Sequence, residues 1–210
     1  MSEQSPPHRW LRVAGFLRFR LSTLLLLTAL IATLLSWRRE RQSLLGEIER
    51  LRNPNPGWGV REATGPPDTS SFGDIPTAWA SKTQDGQIEW LQLEFAAEIN
   101  PQAVHIHETH CPGAVTKITR VNILGNEETL WEGTDPTPIS APGGVSKIVV
   151  NGRKPTSRIK IYLNSPAVLG WNEIDAVGLI DAQGQPHWAT KASASSSYGP
   201  NVSSNDPVIF

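Results

Sequence analysis

A single cysteine, Cys111, stands in the 210 residues. No disulfide can form within the chain, and no cysteine spacing outlines a zinc site, so the body must be held by its own apolar core. Basic clusters are scarce beyond the amino-terminal quarter. Nine arginines against four glutamates precede Asn53, leaving ten basic and sixteen acidic residues for the remainder; the total of −1 hides a basic segment and a mildly acidic body. A nucleic-acid footprint needs lysine and arginine gathered on one face, and its absence from the body excludes DNA and RNA as expected partners. Gly-x-Ser-x-Gly and His-Glu-x-x-His are also missing, and Gly143-Gly144 lacks the Lys-Ser/Thr of a phosphate loop.

What the chain does have near its start is an uncharged apolar run, Leu21 to Trp37. At about 1.5 Å per residue it is near the lower limit for a helix crossing a hydrocarbon core of about 30 Å. Arg18 and Arg20 precede it and Arg38 and Arg39 follow it, where their stems can snorkel; Trp37 takes the place of an interfacial aromatic. Ser36-Trp37-Arg38-Arg39 offers no small-x-small cleavage site, so the run reads as an uncleaved single-pass anchor in the lipid bilayer. Four arginines in the short leading tail favour that tail inside and the body outside. Leu44, Leu45, Ile48 and Leu51 fall at helical spacing, which continues the helix as a short stalk until Asn53-Pro54-Asn55-Pro56 stops it. The expected organisation is a basic tail (1–20), a transmembrane helix (21–37), a stalk and linker (38–56), a β-domain (57–182) and a flexible tail (183–210) rich in Ser, Ala and Gly.

From Gly57 the texture changes to short runs between Gly, Pro, Asn and Asp. Leu91, Leu93 and Phe95 alternate with Gln92 and Glu94, and Val104 and Ile106 alternate with His105 and His107: the period of half-buried strands. Further strands are expected at Val115–Leu124, Glu128–Trp131, Lys147–Val150, Arg158–Leu163 and Ile174–Ile180. With no helical pattern between them, they predict a mainly β, antiparallel sandwich or barrel.

Five fragments then occur in the order of a known module: Ala63-Thr-Gly-Pro-Pro-Asp68, Thr77-Ala-Trp-Ala80, Glu89-Trp-Leu-Gln-Leu-Glu-Phe95, Glu108-Thr109 with Pro112-Gly-Ala-Val115, and Glu173-Ile-Asp-Ala-Val177. Together they resemble the discoidin-like domain of the pappalysin SD-scarf family, over about Gly57 to Asp181. The resemblance implies a galactose-binding-like jelly-roll β-sandwich of about eight strands, used for binding or assembly and not for chemistry. His107 and His110-Cys111 depart from the Tyr and Tyr-Asn of relatives, so roles at those positions do not carry over. The segment Arg18-Phe-Arg-Leu-Ser-Thr-Leu-Leu25 resembles the anchors of bacterial single-pass proteins; with the orientation favoured by the arginines, the expected location is an inner membrane with the β-domain outside it.

Candidate site residues follow from side-chain chemistry. Trp79 and Trp90 fall within the family motifs and are expected in the core, whereas Trp58, Trp131 and Trp171 adjoin turns and are candidates for a ligand platform. Glu108, His107 and His110 join them as polar candidates. His105 and His107 share one strand face at a spacing zinc accepts, and His110 is a possible third ligand. Packing in place of the relatives' aromatics is the plainer role. Asp68 and Asp74 flank a loop that could hold Ca²⁺, although turn and capping roles are commoner for aspartate. Glu173 and Asp175 read as a solvated strand face. The expected function is a non-enzymatic, membrane-anchored module with no cofactor, recognising a protein or carbohydrate through loops at one end of the jelly roll. The alternatives are an assembly subunit with no small ligand and, behind it, a metal-dependent enzyme built on the histidines.

Overall fold

The computed structural model describes residues 57–150 and 154–201, and residues 26, 28–41 and 44 of a helix. Among the described residues the body has nine strands: β1 (Trp79–Ala80), β2 (Glu89–Ile99), β3 (Ala103–His110), β4 (Val115–Val121), β5 (Glu127–Glu132), β6 (Gly144–Val149), β7 (Thr156–Leu163), β8 (Glu173–Ile180) and β9 (Pro186–Ala194). They follow the order β5-β4-β7-β2-β9-β8-β3-β6, with β1 added to β8, and every pairing is antiparallel. One core joins Leu91 and Leu93 of β2, Ile159 and Ile161 of β7, Val104 and Ile106 of β3, and Val177 and Leu179 of β8. A strongly curled antiparallel sheet around one core is consistent with a β-sandwich.

The alternation expected for β2 and β3 is present. Leu91, Leu93 and Phe95 are buried while Trp90, Gln92 and Glu94 are half-buried; Val104 and Ile106 are buried while His105 and His107 are half-buried. Each such Leu or Ile contributes roughly 1.5–3 kcal/mol of transfer free energy. β4 stops at Val121, short of the expected Leu124, because the Asn122 side chain accepts from Leu124 N (2.9 Å) and Asn126 N (3.0 Å) and turns the chain.

Two expectations about the body are corrected. Residues 202–210 of the expected flexible tail lie outside the described residues, while the segment 183–201 is ordered into the fold: Gly178–Ile180 of β8 pair with Pro186–Trp188, and Leu91–Phe95 of β2 pair with Ala189–Ala194. Its small side chains suit this place, since Ala189, Ala192 and Ala194 fit against a core that larger residues already fill. Nor do Glu173 and Asp175 face solvent. All eight residues of β8 are buried, one face against the core and the other under the segment 60–77.

The described helical residues are all exposed, including Leu30, Leu34, Leu35 and Trp37. Among the described residues no helix is long and apolar enough to cross a membrane; residues 21–25 and 27 of the expected span, and 42, 43 and 45–56 of the expected stalk and linker, lie outside them.

Candidate functional site

The site is built where β3 and β8 lose regular register. His107 lies opposite Ala176, Glu108 opposite Ile174 and His110 opposite Glu173, so Asp175 and Thr109 are the extra residues of two adjacent bulges. Bulges re-aim side chains, and these aim theirs at the loop that follows the 3-10 helix Val60–Ala63. Asp175 Oδ1 accepts from Thr69 Oγ1 (2.9 Å) and from the amides of Thr69 (3.3 Å) and Asp68 (3.4 Å). Glu173 Oε2 accepts from Ile75 N (3.2 Å) and Thr109 Oγ1 (3.4 Å), and Thr109 O accepts from Gly73 N (2.8 Å). The two carboxylates of β8 thus pin the loop over their own strand.

Beside this loop lies a cavity of about 110 Å³ lined by Trp58, Asp74, Ala80, Trp171, Glu173 and Tyr198. Its walls are aromatic. The Tyr198 ring stands 5.6 Å from Trp58 at 73° and 5.9 Å from Trp171 at 81°. Trp58 Nε1 donates to Asp74 Oδ1 at 3.0 Å, whereas Trp171 Nε1 and Glu173 Oε1 are buried without a hydrogen-bond partner. Burial pushes Glu173 up to about 8, and the neighbouring Asp74 carboxylate adds to the rise.

The chain around the cavity is held tightly. Trp58 has φ of +50°, where bulky residues rarely sit. It is fixed there by its amide donating to Pro76 O (3.0 Å) and its carbonyl accepting from Gly199 N (3.2 Å) and Ser197 Oγ (3.1 Å). Gly199 must be glycine, since a Cβ there would lie 2.0 Å from Gly57 O. The serine run is anchored as well. Glu89 accepts from Ser195 Oγ and from Ser196 Oγ (2.7 Å), Ser195 Oγ accepts from Trp90 N (2.8 Å), and Tyr198 N donates to Ala80 O (2.9 Å).

A second polar centre lies on the other side of Thr109. Glu108 continues the inward set of Val104 and Ile106 and is 3% exposed. Its Oε2 lies 2.6 Å from Ser146 Oγ, which also contacts Asp135 Oδ1 and Thr137 Oγ1 (2.7 Å). Gly113 N donates to Glu108 Oε1 (3.1 Å), and Val115 N to Asp135 Oδ2 (2.9 Å). Burial, then repulsion from Asp135, pushes Glu108 up to about 8. An open groove of about 420 Å³ passes over it, between Phe72, His107, Val145 and Asp175.

Of the residues singled out from sequence, Trp58, Trp171 and Asp74 meet at the cavity, while Glu108 and His107 line the groove. Trp131 joins neither: it lies on β5 against the core, with Gly133 leaving room for its ring. His107 stacks edge-on against Trp188 at 5.6 Å; its pKa is lowered by burial, then by His105 and Lys147. His105 is lowered by burial and Lys147. His110 is half-exposed, and its register partner is Glu173. Asp68 is exposed and contributes its amide to Asp175, not its carboxylate to a loop site. Among the described residues no group of three or more His, Cys, Asp or Glu side chains is placed to hold a metal ion. Tyr198, Asp135 and Ser146 were not anticipated.

A family model for the carboxy-terminal SD scarf domain of pappalysin-1 matches residues 47–191. The chain belongs to the pappalysin SD scarf family. The match covers β1 to β8 and most of β9, together with the cavity-lining residues Trp58, Asp74, Trp171 and Glu173; Tyr198 lies beyond it. A curated relative, F-box/LRR-repeat protein 4 of Bos taurus, is 28% identical over 116 residues, which are 50% of this chain and 18% of that protein. The chain therefore spans less than a fifth of that relative's length. An SD scarf points to a binding or structural module and not to catalysis, in keeping with buried carboxylates that grip backbone amides and hydroxyls.

Proposed function

We propose that this SD scarf domain is a non-enzymatic recognition module which grips a group presented by a protein or glycan in the cavity walled by Trp58, Trp171 and Tyr198. The carrying observation is their convergence: three aromatic rings far apart in sequence meet around one opening, together with two carboxylates. A galactose-binding-like jelly roll, which presents its ligand to loops at one end, fits this placement of the site in loops. The uncharged run 21–37 serves as a membrane tether in this reading, with the body outside an inner membrane; the arginines at both ends and the exposure of the apolar helical residues that are described support it.

The test compares the full chain with Trp58→Ala and Trp171→Ala on a glycan array and in capture from membranes of its host. Loss of the same ligand in both variants, with native near-UV circular dichroism, is the expected result. Capture that is indifferent to both variants refutes the cavity and favours the assembly subunit. For that second reading the relevant feature is the edge strand β6, where Val149 is 80% exposed.

A further inference from the structure

We infer that the cavity between Trp58, Trp171 and Tyr198 is a site for an organic ammonium group, a primary or methylated amine carried by a larger ligand. The inference rests on the recognition reading above and names the chemistry of that same site. The rings make a box and not a platform. Both indoles stand nearly perpendicular to the Tyr198 ring, at 73° and 81°, so an entering group meets ring faces on more than one side. A sugar stacks best on one flat exposed ring, whereas a cation gains from each face it approaches within about 6 Å.

Charge agrees with shape. Asp74 and Glu173 are the ionisable carboxyl groups in the lining, and no lysine, arginine or histidine lines the cavity. Glu173 is 1% exposed, and its Oε1 has no partner. A buried carboxyl oxygen without a hydrogen-bond partner is costly, and a cation or its N–H would satisfy it as the group ionises. At about 110 Å³ the space is smaller than the roughly 300 Å³ where drug-sized pockets begin, so it takes a head group and not a whole ligand.

The groups facing Glu173 are Asp74 and the Trp58 indole from the loop side, Thr109 and the cross-strand partner His110 from β3 and, through the field it shares with Asp74 and Asp85, the Cys111 thiol. Neither a lysine nor an arginine is among them. An incoming ammonium therefore draws Glu173 toward its ionised form and releases a proton, and affinity rises with pH by at most about tenfold per unit until Glu173 ionises near 8.

The experiment titrates the full chain, in a polyoxyethylene detergent, with tetramethylammonium chloride, and follows the indole N–H resonances of Trp58 and Trp171 by NMR. Sodium chloride, tert-butanol and methyl β-galactoside are run at matched concentration. Saturable shifts of both resonances with tetramethylammonium alone are expected, about tenfold weaker in Asp74→Asn and unchanged in Trp131→Phe, with tighter binding at pH 8.5 than at 6.5. Asp74 is exposed, so its variant folds even where Glu173→Gln does not. Equal shifts with tert-butanol, or an unaltered Asp74→Asn titration, overturn the inference. Shifts with the galactoside and silence with tetramethylammonium also overturn it, yet leave the cavity a recognition site. If neither probe moves the resonances while host-ligand capture still depends on Trp171, the cation is refuted and the proposed function stands.

Discussion

Ser146 has one hydroxyl proton, yet its Oγ lies within hydrogen-bond reach of a Glu108 oxygen and an Asp135 oxygen. It can donate to only one carboxylate, so the other carboxyl must bring a proton of its own. With Glu108 raised to about 8, the consistent arrangement has Glu108 donating to Ser146 and Ser146 donating to Asp135, while Thr137 Oγ1 donates to Ser146. A folded-state pKa above the unfolded value of 4.5 means that the folded protein holds the extra proton between those limits. Its stabilisation is complete below the unfolded pKa and is lost as pH rises through about 8. Glu108→Gln keeps the shape and supplies an N–H in place of the O–H; it should cost no more than about 1 kcal/mol at pH 6 and raise the melting temperature above wild type at pH 9. Thermal melts at both pH values check this, and a variant less stable than wild type at pH 9 rejects the proton assignment. Glu108 was legible in the sequence as a notable residue, but its partners were not, because Asp135 and Ser146 lie far along the chain and only the pairing of β6 with β3 brings them in. Trp58 and Trp171 could be chosen because turns expose their neighbourhoods. Tyr198 sits in a Ser-Gly-Pro context that composition assigns to disorder, and backbone bonds to Ala80 overrule it.

The elements show a similar division. β2, β3 and β7 were legible because large apolar residues alternate with polar ones. β9 was not, because alanine and serine carry little period-two signal, and it fits for the very reason that they are small. The loop over β8 is held by side chains and not by a ladder, so single substitutions reach it. Asp175→Ala removes the acceptor of Thr69 Oγ1 and two amides; hydrogen exchange across residues 68–75 should speed up by tenfold or more while β2 and β7 keep their protection. Unchanged exchange there would show that the loop is held by something else. Gly199→Ala forces a Cβ against Gly57 O and should cost about 2 kcal/mol or more. The fluorescence of Trp58 would report the release of the carboxyl-side segment before global unfolding.

At the scale of the molecule, the buried titratable groups pull stability in opposite directions with pH. His105 and His107 have lowered pKa values, so folding disfavours their protonation and stability falls as pH drops below 6.5. Glu108 and Glu173 act oppositely, losing stabilisation as pH rises toward 8. Denaturant melts from pH 5 to 9 should therefore show a maximum in the mildly acidic range, with the alkaline fall removed in Glu108→Gln/Glu173→Gln; a wild-type curve still rising at pH 9 would contradict both shifts. The proposed tether has its own check: carbonate extraction of host membranes should leave the full chain in the pellet and release a chain starting at Gly57.

β9 comes last among the described strands in sequence but lies between β2 and β8 in space. During synthesis both of those neighbours emerge with a bare hydrogen-bonding edge and must wait for the final strand to fill the gap. The nascent domain therefore passes through an interval in which it has most of its apolar residues and cannot close. For that interval its open strand edges are exposed to pairing with other chains. A ribosome stalled just before Pro186 leaves the chain unable to finish folding, and slow codons there would lengthen the exposure.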